Sequence, residues 1–534
     1  MKMKRIVAIV MALSLMLALV SCGKKETNVS ENGKMTITWL GYPNNQSAEE
    51  GTDAELLLEE KFGVEIKPIF YANQNYNDKK TMLLASGDIP DLIYELDPSH
   101  VAADADQGFL AKVDYETIAK HAPTVYGILK EEAPQAFMYS YADGDNYGVP
   151  NISFFNEGGR VGWWRLDWLK NVGINKVPET IDEMYDALYK FTKNDPDGNG
   201  KNDTYGMSGD IVNWHTMFSE VFGAYGIIPF NWMEQDGKVV YGGFADGVTD
   251  AIDTLAKWYS EGLIHPDFKS DNVFGNGKER FTSGSVGYIN NHGGYMEPGK
   301  PWGLGLTTVE INPKAEIACA KYVKGPEGHS GTQCWGLPCH VISFGAQLED
   351  DEAKLIKILE IFEGTINDSE FLHKVKMGDE GVNWEYVDKE AKFKGGFNWL
   401  EPYNDSAQRS KYCIDSTFAA PTFFVPTTPS RDEYNAHVGT GQENWNIEND
   451  RAANGHADIF SKPDVLPSAA KYFENLRTQQ INIMVRAIQG EITSAEYIEQ
   501  FKALWEKNGG LKLQEEADGM GATMNKVIKK VTSY

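Results

Sequence analysis

The order of apolar and polar positions in the first hundred residues predicts alternating strands and helices. Residues 35–40 (MTITWL) alternate apolar and polar side chains, and residues 64–70 (VEIKPIF) have a similar strand-like pattern. Between them, residues 48–62 have helical periodicity, and a second helix over 76–86 precedes a third strand that begins at Pro90. Because crossovers between parallel strands are right-handed, this order predicts a parallel sheet with helices on both faces.

The same criterion predicts several helices later in the chain. Thr180 begins a capping box that opens an amphipathic helix, and a further helix is predicted over 248–261. Near the end, residues 468–490 and 494–509 form a predicted helical pair. Residues 380–465 are rich in aromatic, Gly, Asn and Asp residues, and their pattern supports no assignment.

The N-terminus has the pattern of a secretory signal peptide. Residues 1–5 are basic, and the apolar run that follows has about 15 residues, fewer than the roughly 20 that a membrane-spanning helix needs. The string LVSC, which ends at Cys22, resembles the bacterial lipobox. We therefore expect residues 1–21 to be removed, Cys22 to carry an acyl chain such as palmitate, and residues 22–33 to form a polar tether. The alternative is a simple secretory signal whose cysteine is incidental.

Length and charge restrict the possible partners. The chain has 534 residues, too many for one hydrophobic core, so at least two domains are expected. Removal of Lys2, Lys4 and Arg5 with the signal peptide leaves 47 basic and 77 acidic residues, a formal charge near −30. Such a surface repels nucleic acid and anionic lipid head groups, which argues against both as partners, but it does not restrict a neutral ligand.

Four cysteines remain in the mature chain, and they do not define a disulfide scaffold. They are Cys319, Cys334, Cys339 and Cys413. An oxidising compartment permits pairing, and four cysteines allow three connectivities. The spacing of Cys334, Cys339 and His340 fits no common zinc pattern.

Six short strings occur in order along the chain. They are 86–91 (SGDIPD), 164–173 (WRLDW, then NVG), 178–183 (PETIDE), 194–206 (NDPDGNGKNDTYG), 281–287 (FTSGSVG) and 505–510 (WEKNGG). With the lipobox before them, these strings resemble family 1 extracellular solute-binding proteins, specifically the large lipoproteins that serve carbohydrate importers.

The resemblance implies a fold, a location and a function. The fold would be α/β, with two lobes of the periplasmic-binding-protein type (class II), mostly parallel sheets and hinge crossovers around a ligand cleft. The expected N-terminal lobe comprises 34–148 and about 281–342, and the expected C-terminal lobe comprises 149–280 and about 343–534. Anchored by lipid at the extracellular face of the cell membrane, the protein would capture an oligosaccharide and deliver it to the permease subunits of an ABC transporter, without catalysis.

Residues 195–206 resemble a calcium-binding EF-hand loop. Oxygen-bearing side chains occupy loop positions 1, 3, 5 and 9, and Gly200 provides the sharp turn at position 6. The predicted ligands are Asp195, Asp197, Asn199, Asp203 and the backbone carbonyl of Lys201. Position 12 is Gly206 instead of the usual bidentate glutamate, and Thr204 departs from the similar loop of alginate-binding family members. Bound calcium would be structural; the alternative is a metal-free Asx-rich turn.

Aromatic side chains on loop or glycine-rich segments are candidates for stacking on a sugar ring. The candidate ligand-binding residues are Trp39, Tyr42, Asp91, Trp163, Arg165, Trp232, Tyr295, Trp302 and Trp335. The alternative for each aromatic residue is ordinary packing. Asp91 could instead be a turn residue, and Arg165 could pair with Asp167.

Two other functions remain open from the sequence. One is a secreted glycan-degrading enzyme, since two carboxylates suffice for glycoside hydrolysis. No nucleophile elbow, H-E-x-x-H or P-loop motif occurs in the sequence to favour an enzyme. The other is a peptide- or amino-acid-binding protein of the same fold, because a fold does not determine its ligand.

Overall fold

The computed structural model describes most of the chain after the N-terminal segment. The described residues are 33–42, 48–72, 75–97, 99–153, 159–209, 211–212, 217–271, 275–291, 304–414, 418, 447, 450–460 and 465–534. The strands are β1 (Met35–Leu40), β2 (Val64–Ile69), β3 (Leu92–Glu95), β4 (Tyr141–Ala142), β5 (Asp145–Asn146), β6 (Gly148–Ile152), β7 (Val161–Arg165), β8 (Tyr205–Met207), β9 (Trp232–Gln235), β10 (Lys238–Tyr241), β11 (Val286–Asn291), β12 (Ile317–Ala320), β13 (Thr332–Cys334), β14 (Pro338–Phe344), β15 (Trp384–Tyr386), β16 (Phe397–Trp399) and β17 (Gly455–Ala457).

Helices surround these strands. They are α1 (Asp53–Phe62), α2 (Tyr76–Ser86), α3 (Ser99–Asp106), α4 (Tyr115–His121), α5 (Pro123–Glu132), α6 (Leu166–Asn171), α7 (Ile181–Lys193), α8 (Ser219–Ala224), α9 (Val248–Ser260), α10 (Asn276–Thr282), α11 (Leu304–Ile311), α12 (Glu352–Ile366), α13 (Ser369–Met377), α14 (Ser406–Lys411), α15 (Ala469–Ile488), α16 (Ser494–Lys507) and α17 (Gly510–Val531). Within the described ranges, no helix combines the length and the apolar character that crossing a membrane requires.

The first lobe is built on a five-stranded sheet in the order β2-β1-β3-β14-β6. Strand β1 pairs in parallel with β2 and β3, as the β-α-β pattern predicts, whereas β14 runs antiparallel to both β3 and β6. Helix α1 begins at Asp53 rather than at residue 48, because Thr52 is still extended, and it ends at Gly63 in the left-handed conformation. Apolar side chains of β1, β3 and α12 meet in one core beneath this sheet.

The second lobe is built on a four-stranded sheet in the order β12-β7-β11-β8. Strands β8 and β11 are parallel, and β7 runs antiparallel to its two neighbours. Helices α7, α9, α15 and α16 supply a separate hydrophobic core. Each sheet therefore has one strand that opposes the rest, which agrees with the expected two-lobed, mostly parallel α/β architecture.

The expected capping box at α7 closes differently in the structure. The Glu183 amide donates to the Thr180 hydroxyl at 3.2 Å, as predicted, but the Glu183 carboxylate accepts from the backbone N–H of Glu179 at 2.8 Å. The complete reciprocal box lies instead at α16, between Thr493 and Glu496.

The expected lobe boundaries need correction in the middle of the chain. Strands β11 and β12 belong to the second sheet, although residues 281–342 were expected in the N-terminal lobe. Strand β14 lies between β3 and β6 in the first sheet, in agreement with the expected range to about 342, but α12 packs in the first core, although residues from 343 onward were expected in the C-terminal lobe. The physical reason is that β11 and β12 pair with β7 across more than a hundred residues, and the local pattern of a strand does not identify such a distant partner.

The last helix joins the two lobes. Near its start, Leu513 and Ala517 pack in the second core, and near its end Val527 and Val531 pack in the first core. The Tyr126 hydroxyl donates to the carbonyl of Val531 at 2.8 Å, so the end of α17 is fixed to the first lobe.

Candidate functional site

A cavity of about 1180 Å³ lies between the two lobes, beside α17. The first lobe contributes Asp97, Ala102, Met138, Tyr139 and residues 141–143 to its wall. The second lobe contributes Ile211 and Val212 after β8, together with one face of α15, and α17 closes one side with Met520 and Met524. A compartment bounded by two separate cores can bury a ligand when the lobes approach each other.

An aromatic cluster lies in the first lobe, at the carboxyl ends of β1 and β3. The ring of Tyr42 meets Tyr94 edge-on at 5.1 Å between centroids and His340 at 6.0 Å. The Asn151 amide donates to the Tyr94 hydroxyl at 3.0 Å, and His340 Nδ1 donates to the carbonyl of Leu96 at 2.8 Å. Burial raises the pKa of Tyr94 well above its ordinary value, so its hydroxyl stays neutral. The cluster thus has a fixed geometry, and Tyr42 and His340 are its half-buried members.

Behind the cluster, a buried ion triad connects the sheet to α3, the helix that carries Ala102. Lys80 Nζ lies 2.5 Å from a carboxylate oxygen of Glu95 and 2.6 Å from one of Asp104. Burial opposes the charge on Lys80, but the two carboxylates raise the pKa of its ammonium group. The triad therefore fixes the first-lobe wall of the cavity through charge-assisted bonds in a dry environment.

The raised pKa of Glu95 predicts that the stability of the protein depends on pH. Its burial, partly offset by Lys80, raises its pKa from 4.5 to about 7. The folded protein holds a proton that the unfolded chain releases at lower pH, so the unfolding free energy falls as the pH rises towards about 7. Glu95→Gln should flatten this part of the profile. Urea titrations at about pH 5.5 and about pH 8 measure the difference; an equal decline in the variant would contradict this role of Glu95.

The structure places three of the proposed sugar platforms inside hydrophobic cores. Trp39 is 1% exposed and packs against Phe362 and Phe418, with ring centroids 6.3 and 5.5 Å away. Trp163 is 3% exposed in a small core beside the second sheet, and Trp232 is fully buried. These three predictions are wrong, because a ring enclosed by protein offers no face to a ligand.

The two charged candidates are also structural. Asp91 accepts hydrogen bonds from the amide and hydroxyl of Thr38 at 2.9 and 3.0 Å and pairs with Lys354 at 3.2 Å. The Arg165 guanidinium pairs with both carboxylate oxygens of Asp167, at 2.8 and 2.6 Å. Both side chains are buried, so the alternative readings of a turn residue and an internal ion pair replace the ligand-binding ones.

Four aromatic candidates remain after these corrections. Tyr42 belongs to the cluster described above, and Trp335, which is 38% exposed, follows β13 on the crossover between the lobes. Tyr295 and Trp302 lie outside the described residues, as does Cys22.

Sequence reasoning missed the part of the wall that α15 supplies. Phe473 and Arg477 are one helical turn apart on this helix, and the guanidinium carbon lies 4.9 Å from the centre of the phenyl ring. The available signal was the helical periodicity of residues 468–490, and it indicated packing. Only the placement of α15 on the same cavity as residues 141–143 of the first lobe identifies its exposed face as a cavity wall.

The calcium-like loop is well ordered by its own hydrogen bonds. Asp195 accepts from the backbone N–H groups of Asn199 and Gly200 at 3.0 and 2.9 Å, and the Gly200 bond lowers the pKa of the Asp195 carboxyl. The Asn199 amide lies between Asp197 and Asp203, at 2.8 and 3.1 Å from their oxygens. Burial and the adjacent Asp195 raise the pKa of Asp197, as expected where acidic groups crowd together.

The donor set suits a hard cation but includes few carboxylates. Within the described residues, no group of three or more His, Cys, Asp or Glu side chains is arranged to hold a metal ion. A cation in this loop would therefore also need the Asn199 side-chain oxygen and the Lys201 carbonyl. A glutamate at position 12 is excluded by packing, since a Cβ on Gly206 would lie 2.7 Å from the Leu188 Cβ.

Comparison with known families agrees with this architecture. The model of the family described as bacterial extracellular solute-binding protein matches residues 44–339, more than half of the chain. The chain belongs to this family. Extracellular solute-binding proteins are thus the class within which its cavity and loop are to be understood.

Two relatives in Bacillus subtilis (strain 168) resemble the chain over most of its length. The lipoprotein LipO is 27% identical over 394 residues, which cover 72% of this chain and 74% of LipO. The polygalacturonan/rhamnogalacturonan-binding protein YtcQ is 23% identical over 532 residues, 96% of this chain and 97% of YtcQ.

Solved structures share the fold of this solute-binding protein. An extracellular solute-binding protein from Bifidobacterium longum subsp. infantis superposes with a TM-score of 0.67 at 16% identity, over 94% of this chain and 100% of that one. The S. pneumoniae substrate-binding protein FusA in complex with kestose gives 0.58 at 17% identity, over 91% and 100% of the two chains. Alginate-binding protein AlgQ2, solved without calcium ion, gives 0.58 at 14% identity, over 91% and 97%. An EF-hand mutant of FusA has also been solved.

Proposed function

We propose that this protein is the substrate-binding component of an ABC importer and captures an oligosaccharide between its two lobes. The cavity of about 1180 Å³, with walls from both lobes, is the observation that carries the proposal. It exceeds the range of about 300–1,000 Å³ that suits small ligands, so an oligosaccharide fits it better than a single amino acid. The carbohydrate ligands named for FusA and YtcQ support this choice.

The proposed role is binding without covalent chemistry. The cavity wall combines apolar side chains with hydrogen-bonding groups, and the half-buried ring of Tyr141 in this wall is a platform for the C–H face of a sugar. Residues 1–21 would be removed, and the lipid on Cys22 would hold the protein at the extracellular face of the membrane, near the permease subunits. The name of LipO supports the lipid anchor.

Calorimetric titration of the mature chain with kestose, a neutral milk tetrasaccharide and a trigalacturonate tests the proposal. We expect at least one to bind with a stoichiometry near one and to be recovered unchanged. Tyr141→Ala should weaken that binding by about threefold to tenfold, the usual range for one aromatic contact. Tyr189→Ala, which removes a 41% exposed ring from α7, is the matched control and should have no effect. Recovery of a cleaved sugar would favour the enzyme alternative instead.

Calcium in the loop formed by residues 195–203 is also part of the proposal, with a structural role. Its side chains could hold the ion through Asp195, Asp197, Asn199 and Asp203, and the carbonyl of Lys201 could complete this set. The EF-hand of FusA supports the assignment. Calcium would relieve the repulsion among the three carboxylates and fix the end of α7. The loop is already tied to this helix, because the Thr204 hydroxyl donates a hydrogen bond to the carbonyl of Phe191.

Removal of calcium is expected to lower the melting temperature. At about 100 times the dissociation constant, calcium should add about 2.7 kcal/mol to the unfolding free energy, which is roughly 2 °C in melting temperature for a chain of this size. Asp195→Asn and Asp203→Asn should abolish the response to EDTA, whereas Asp250→Asn on the exposed start of α9 should retain it. A wild-type melting temperature that EDTA leaves unchanged would mean that the loop is a metal-free turn.

A further inference from the structure

The charged side chains in the described walls of the cavity are mostly acidic. They comprise four carboxylates, Asp97, Asp143, Glu474 and Glu516, and one guanidinium, Arg477. The acidic groups come from both lobes and from α17. The excess of acidic over basic side chains in the cavity wall has the same sign as the formal charge of −27 of the whole chain.

Two of these charged groups are held in place by neighbouring side chains. The Glu516 carboxylate accepts hydrogen bonds from the Ser468 amide at 2.8 Å and from its hydroxyl at 2.6 Å, at the start of α15. One face of the Arg477 guanidinium is covered by Phe473. Arg477 therefore presents only part of its donor surface to the cavity, while Asp143 and Glu474 are exposed.

We infer that the cavity selects neutral oligosaccharides and discriminates against uronate-containing ones, an inference that rests on the proposed function. Sugar hydroxyls can donate to the wall carboxylates, which are strong acceptors. A uronate carboxylate cannot donate, and it would enter a region where four carboxylates are offset by the Arg477 guanidinium and by Lys512, which lies 3.9 Å from Glu516. A site that excludes uronates would differ from that of YtcQ, whose name describes a polygalacturonan/rhamnogalacturonan-binding protein.

If uronates are excluded by electrostatic repulsion, their affinity depends on the salt concentration. Repulsion between a ligand and exposed carboxylates is screened by salt, with a Debye length of about 10 Å at 0.1 M that shortens to about 3 Å at 1 M. Binding of an acidic ligand should therefore improve as salt is added. Binding of a neutral ligand has no such dependence.

The test is calorimetric titration of the mature chain with neutral oligosaccharides and uronate oligosaccharides of equal length, at low and at high salt. At low salt, we expect neutral oligosaccharides to bind at least about tenfold more tightly than uronate oligosaccharides. At high salt, this difference in affinity should be smaller. The Asp143→Asn/Glu474→Gln double variant should also reduce the difference in affinity between neutral and uronate oligosaccharides. Glu499→Gln, which removes an exposed charge on α16 away from the cavity, is the matched control and should leave this difference unchanged.

The outcomes separate this inference from the proposed function. Uronate ligands that bind as tightly as the neutral ones, or more tightly, would overturn the charge selectivity and leave oligosaccharide capture intact. An affinity difference that neither salt nor the double variant alters would also overturn the charge selectivity, since the discrimination would then not be electrostatic. Failure of every oligosaccharide, neutral and acidic, to bind would overturn both.

Discussion

Lys80→Met is expected to lower the unfolding free energy by about 3–5 kcal/mol, the usual cost of leaving buried charge without its partner. Lys80 is 1% exposed, and both carboxylates that contact it are almost completely buried. Methionine preserves most of the side-chain volume, so the loss reports the charge rather than a cavity. Urea unfolding of wild type and variant at about pH 8, where Glu95 is ionised in the wild type, gives the difference directly.

Lys79→Met is the matched control for this variant, since Lys79 is exposed on the same helix and should change stability by less than about 0.5 kcal/mol. Combining Lys80→Met with Glu95→Gln should recover part of the loss, because the amide leaves a single buried carboxylate. A Lys80→Met protein as stable as the control would show that the triad does not fix the first-lobe wall.

Trp232→Ala is expected to destabilise the second lobe by about 3–5 kcal/mol, the usual cost of removing a fully buried tryptophan. The indole is 0% exposed and lies 5.4 Å from the ring of Tyr241 and 6.0 Å from that of Trp505. Those neighbours belong to β10 and α16, so the cavity left behind would separate elements that share the core. Thermal and urea unfolding measure the loss.

Trp335→Ala provides the contrast, because this side chain is 38% exposed and its removal should cost less than about 1 kcal/mol. The pair tests the correction made to the sequence-based prediction, in which both residues were ligand platforms. A Trp232→Ala protein of wild-type stability that fails to bind sugar would restore Trp232 to the binding site and contradict its placement in the core.

The first lobe could be predicted where local pattern and chain order suffice. Strands β1, β2 and β3 each have their own periodicity, and short right-handed connections determine how they pair. Strand β14 could not be placed in the same way. It pairs with β3 across more than two hundred residues, and only its burial on all sides, seen in three dimensions, explains why it joins the first sheet.

The candidate site was predicted less well, because burial of an aromatic side chain depends on distant elements. Trp39 and Tyr42 are three residues apart, yet α12 and Phe418 enclose the first while the second remains half-buried beyond the end of β1. The spacing of residues 195–203, by contrast, is entirely local, and the loop folds with the hydrogen bonds that such spacing allows. The hairpin of β15 and β16 had no recognisable pattern, because its aromatic residues pack mainly on each other.

Native mass spectrometry of the mature chain mixed with a neutral oligosaccharide tests the central claim most directly. The account predicts one intact oligosaccharide per chain, and loss of this adduct in Ala102→Trp, which places an indole in the cavity from the exposed side of α3. A sugar of altered mass, or an adduct that is undiminished in Ala102→Trp, would contradict capture between the lobes.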